Sequence, residues 1–87
     1  MRVLNWNMPK KIFSGKETIR ILCREFGFCF VSQKGSHVKL GKMSGKREII
    51  TVVPLHKELA IGTFRGVLEL AEIELKEFLS KSDRSFR

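Results

Sequence analysis

His37 is one of two histidines in the 87-residue chain and lies within Gln33-Lys34-Gly35-Ser36-His37-Val38-Lys39, flanked by Lys34 and Lys39. An imidazole, with a reference pKa of about 6.5, gives or takes a proton at neutral pH. The two lysines add positive charge that suits a phosphate. Ser36 stands next to His37, but no third group is visible to orient a Ser–His pair, so attack by serine is the weaker reading. A histidine of this kind is more often a surface residue without special chemistry, and residue type alone favours that bland outcome. His56, in Pro54-Leu55-His56-Lys57, is the other candidate for proton transfer or phosphate contact. Its plainer reading is a loop histidine that fixes its own backbone.

Metal chemistry fits poorly. A magnesium site relies on converging carboxylates, yet Glu48 is the only acid between Glu25 and Glu58. Glu69, Glu72 and Glu77 fall at helical spacings and read as a solvated face. Cys23 and Cys29 are the only cysteines; they form no zinc-type set and no CxxC pair, and read as reduced, half-buried thiols. The expectation is therefore no metal and no cofactor.

Charge narrows the partner. The formal net charge is +8, and it is unevenly spread: residues 1–57 hold twelve basic and three acidic side chains, residues 58–87 five and six. The front two-thirds would face a polyanion. RNA is the polyanion with a nucleophile of its own, the 2′-hydroxyl beside each phosphate. A protein that orients that backbone and supplies one proton-transfer group gains from proximity and from acid–base catalysis, the latter worth about 10²–10⁴-fold. A non-catalytic RNA-binding module on the same basic face is the alternative. Trp6 and the phenylalanines could stack on bases, but most phenylalanines lie on core-facing stripes.

The elements that must hold these residues follow from pattern. Residues 1–13 read as a basic leader with Pro9-Lys10-Lys11 as an arm, residues 14–79 as the domain, and residues 80–87 as a polar, frayed tail. Ser14-Gly15-Lys16-Glu17 has the form of a capping box, and Ile19, Leu22, Cys23 and Phe26 make an apolar helical stripe that Gly27 ends. Strands are expected at Phe28–Gln33, His37–Lys42 and Arg47–Val53, joined by turns at 34–36 and 43–46 and closed by Pro54. Gly62-Thr63 opens a second helix, either as a plain cap or as a phosphate seat with Arg65. Ile73, Leu75, Phe78 and Leu79 extend that helix or form a short third one. Alternation along the second strand puts Val38 and Leu40 on one face, and His37 and Lys39 on the other. The order α-β-β-β-α gives an α+β fold of the double-stranded-RNA-binding type, a three-stranded antiparallel sheet with helices on one face. No apolar run approaches a membrane span, and the opening residues are too short and polar for a signal peptide. A cytoplasmic protein is expected.

Taken together, Ser14-Gly15-Lys16-Glu17, Gly27-Phe28, Gln33-Lys34-Gly35-Ser36-His37, Val53-Pro54, Lys57-Glu58-Leu59 and Gly62-Thr63 resemble the HicA (YcfA-like) family, over residues 8–79. The resemblance implies a toxin of a type II toxin–antitoxin system: a metal-independent mRNA interferase of that same fold, covered by a HicB antitoxin. Its catalytic histidine follows Gly-Ser and corresponds to His37, with Lys34, Gly35, Ser36 and Lys39 expected at the RNA. The family commonly has Gln-Ala-Gly between its last helical pieces, where this chain has Leu70-Ala71-Glu72. Without that glycine, the helix is expected to run on.

Overall fold

The computed structural model describes residues 12–85. Helix α1 (Gly15–Phe26) leads into strands β1 (Cys29–Lys34), β2 (His37–Ser44) and β3 (Arg47–Pro54), followed by helices α2 (Ile61–Ala71) and α3 (Leu75–Ser85). The strands form an antiparallel meander in the order β1-β2-β3. The architecture is thus α+β with a three-stranded antiparallel sheet, as the element order predicts. Residues 1–11 of the leader, including Trp6 and Pro9-Lys10-Lys11, lie outside the described residues, whereas Phe13 at its end is buried and belongs to the core.

Helix α1 starts where its side chains satisfy otherwise orphaned amides. The Glu17 N–H donates to Ser14 Oγ at 3.0 Å, and the Ser14 N–H donates to Glu17 Oε1 at 2.9 Å, so the capping box is complete. Gly27 ends the helix at φ 79°, with its N–H donating to Leu22 O. The buried face is wider than the expected stripe. Thr18 and Ile21 are fully buried beside Leu22, whereas Ile19, Cys23 and Phe26 are only half-buried.

The core fills the space between one sheet face and the helices. Val38, Leu40, Ile49 and Val53 meet Ile21, Leu22, Phe64, Val67 and Leu68 there. Thr51 is a polar residue in that layer, and its hydroxyl donates to Val67 O at 2.8 Å. Phe78 is fully buried, with the Phe13 and Phe64 rings edge-on to it at 5.4 and 5.3 Å. Such edge-to-face pairs are favoured by the ring quadrupoles. Most of the described phenylalanines therefore do serve the core, with Phe30 exposed.

Three expectations need correction. Helix α2 begins at Ile61 with Ala60 at the cap and no side-chain capping bond, so Gly62-Thr63 lies inside the first turn rather than opening it. Of the two readings of the last helical segment, the separate third helix is the one found, and α2 does not run on. Glu72 itself takes the left-handed conformation, φ 60° and ψ 41°, and ends α2 there. Its carboxylate is held by Arg47 through two hydrogen bonds of 2.6 and 2.8 Å. Finally, residues 80–85 are not a frayed tail. They continue α3, and Ser82 is buried with its hydroxyl donating to Leu79 O at 2.7 Å.

Candidate active site

Gly35 and Ser36 alone connect β1 to β2. Gly35 has φ 59°, and among the described residues only Glu72 is a non-glycine with positive φ. A two-residue loop with positive φ at its first position and negative φ at its second is a type II′ turn. The right-handed twist of the flanking strands favours it, and its first position calls for glycine. The turn is tied down from two sides. Gln33 Nε2 donates to Gly35 O at 3.0 Å, and the Leu55 N–H donates to Ser36 O at 2.7 Å.

That second bond has support behind it. The Gly15 N–H donates to the carbonyl of His56 at 2.8 Å, which fixes the 54–56 segment against the start of α1. Approach is so close that a Cβ on Gly15 would stand 2.0 Å from Pro54 O. Glycine at this early helical position costs helix stability; contact with the 54–56 backbone explains why no side chain can replace it. Helix α1, the 54–56 segment and the turn thus form a stack that fixes the backbone on which His37 begins β2.

His37 pairs with Lys34 on one side and Pro54 on the other. Residues directly opposite in a ladder share a face. Val38 and Leu40 are 4% and 0% exposed, and they point into the core. His37 and Lys39 therefore lie on the open face, and both are exposed, as are Lys34, Gly35 and Ser36. All five residues singled out from the sequence come together at this one turn. Past Lys39, Val31 and Ile50 crowd over Gly41, where a Cβ would meet them at 3.1 and 2.9 Å, with Glu48 Oε2 beside them at 3.6 Å.

Other candidates sort by place. His56 is exposed in the segment after β3. Cys29 pairs with Gly41, at the far end of β1 from the turn. It is an exposed free thiol rather than a half-buried one, and Cys23 is a free, half-buried one. Burial pushes the Cys23 thiol above its usual range, with Cys29 adding to the effect. Among the described residues, no three His, Cys, Asp or Glu side chains cluster so as to hold a metal ion. No described helix is long and apolar enough to cross a membrane.

Sequence reasoning missed two parts of the site. Gln33 enters the sequence reading as strand and as part of the family motif but without a role, though an amide side chain beside a tight turn can bond that turn's free carbonyl. Gly15 was read only as part of a capping box; a glycine in a helix's first turn was the available signal of close backbone approach.

Residues 15–73 match the family model described as the HicA toxin of bacterial toxin–antitoxin systems. The match spans the turn, both histidines and the Glu72 corner. No curated protein matches the chain.

Proposed function

Because the chain belongs to the HicA family of toxins from bacterial toxin–antitoxin systems, we propose that it is an endoribonuclease that cleaves mRNA without metal at the β1–β2 turn. In this reading His37 is the catalytic proton-transfer group. Lys34 and Lys39 bind phosphate, while Gly35 and Ser36 let the RNA backbone approach the turn closely. The substrate puts the activity in the cytoplasm, and a HicB-type antitoxin neutralises it by covering the same turn. The α-β-β-β-α order is the one expected of a double-stranded-RNA-binding-type fold, and that expectation supports RNA as the ligand.

The observation that carries the proposal is an exposed imidazole on an anchored backbone, between two exposed lysines on one open face. Anchoring matters because proton transfer demands hydrogen-bond reach, and a catalytic group on a loose loop loses the advantage of proximity. RNA supplies the attacking 2′-hydroxyl, so the protein needs no nucleophile of its own.

The test is digestion of RNA in excess chelator by the wild type and by His37→Ala. The side chain is exposed, so the variant should fold normally while cleavage falls about 10²–10⁴-fold. An RNA with 2′-deoxyribose at the cleaved position should resist both proteins. Undiminished cleavage by His37→Ala would overturn the assignment. RNA retained by the wild type without any product would instead support a non-catalytic binding module.

A further inference from the structure

Cleavage by a 2′-hydroxyl moves two protons. One leaves the attacking 2′-oxygen, and one must reach the departing 5′-oxygen. His37 can move one of them. The segment that follows β3 carries a second imidazole, and its backbone is bonded to the same turn.

His37 is paired with Pro54, and the Leu55 N–H to Ser36 O bond extends the register by one further position. Continued by one position more, the same register would set His56 opposite Gly35. Gly15 touches both Pro54 O and His56 O, so those two carbonyls point to the same side. Alternate residues of an extended segment behave this way, and their side chains share a face as well. Pro54 shares a face with His37. His56 therefore lies diagonally across the ladder from His37, a separation of about 7–8 Å between backbone positions in a regular sheet. Gly35 leaves the ground between them open, since a Cβ there would meet nothing within 4 Å. Both histidines are exposed.

From this register we infer that His56 is the second proton-transfer residue of the site, an inference that rests on the ribonuclease reading. A phosphodiester spans the gap over Gly35. One neutral imidazole takes the 2′-hydroxyl proton as the 2′-oxygen bonds to phosphorus. The other, as imidazolium, gives its proton to the 5′-oxygen as the P–O5′ bond breaks. The products are a 2′,3′-cyclic phosphate and a 5′-hydroxyl. The protons balance within the pair, and the two rings return to their starting states by exchange with water.

The test uses the full chain with His37→Ala and His56→Ala, on RNA and on an RNA with sulfur replacing the bridging 5′-oxygen at the cleaved bond. A thiolate leaves without being protonated, so this substrate relieves only a variant that has lost its acid. His56→Ala should lower kcat about 10²–10⁴-fold with KM within a few-fold, and its thermal unfolding should match the wild type. The sulfur substrate should restore one of the two variants and not the other, and the restored one identifies the acid. Near-wild-type kcat in His56→Ala overturns the inference, as does rescue of both variants or of neither. Failure of the ribonuclease reading looks different: the wild type does not cleave, or His37→Ala cleaves as well as it does.

Discussion

Strand β2 is entered and left through turns of the same kind. Gly35-Ser36 and Gly45-Lys46 are both two-residue loops with glycine first, at φ 59° and 64°. The second also carries two basic side chains, Lys46 and Arg47, but Glu48 follows them and Glu72 pairs with Arg47. The turns differ in what stands behind them. The first is bonded by Gln33 and Leu55 and backed by the start of α1. Among the described residues neither bond has a counterpart at the second turn; its neighbour Arg47 reaches instead to Glu72, at the corner between α2 and α3. The two turns thus share a glycine geometry and differ in anchorage, and the role proposed for the first rests on that difference.

Removing the support should separate the two turns most sharply. In Gly15→Ala the new methyl would stand 2.0 Å from Pro54 O, and backbone cannot yield that much. The start of α1 must lift from the 54–56 segment, which costs about 1–3 kcal/mol or more, as overpacking does. Urea unfolding should show the loss. Cleavage should fall beyond what the unfolded fraction explains, because the turn loses its backing. Cleavage that merely tracks stability would mean the backing does not matter to the chemistry.

The glycines of the turns make a matched pair. Gly35→Ala and Gly45→Ala each force an L-residue into positive φ, at a cost of about 1–3 kcal/mol. Neither methyl meets any atom within 4 Å, so the strain is purely conformational. Their thermal unfolding should drop by similar amounts. Only Gly35→Ala should lose cleavage, and equal activity losses would remove the functional distinction between the turns.

Much of this was legible in the sequence because it depended on short range. The Ser14–Glu17 box, the Gly27 cap, both glycine turns and the alternation that exposes His37 and Lys39 each follow from residues within a few positions of one another. What stayed hidden depended on contacts between distant segments. Nothing local says that Gly15 must meet Pro54, or that Leu55 bonds Ser36 and so carries His56 toward the turn. The Glu72 corner is the instructive miss. The absence of glycine argued for a continuous helix, but Ile73 and Phe78 could reach the core only if the chain turned. Tertiary burial outweighed a local penalty, with Arg47 holding the strained residue from across the molecule.

A milder probe of the first turn is Gln33→Ala. It removes one exposed hydrogen bond, so stability should change by no more than about 0.5 kcal/mol. Turnover should fall by a few-fold as the Gly35 carbonyl is released. Unchanged turnover would assign the whole anchorage to Leu55.

The smallest effect should come from the second turn's ion pair. Its side chains are 60% and 48% exposed, so solvent screens it strongly. The hydrogen bonds from Arg47 nevertheless hold the Glu72 carboxyl below its usual range. A lowered folded-state value means the pair stabilises the fold fully above the ordinary carboxylate range and ceases to do so as pH falls through the lowered value. The melting temperatures of wild type and Arg47→Ala should therefore differ slightly at neutral pH and converge on acidification. Glu72→Ala and Glu72→Gly then divide the corner into its two parts. Both lose the ion pair, but only glycine occupies positive φ without strain. Glu72→Gly should melt above Glu72→Ala, and neither should alter RNA cleavage. A loss of cleavage in either would mean that the far corner is coupled to the first turn, and that the two ends of β2 do not work independently.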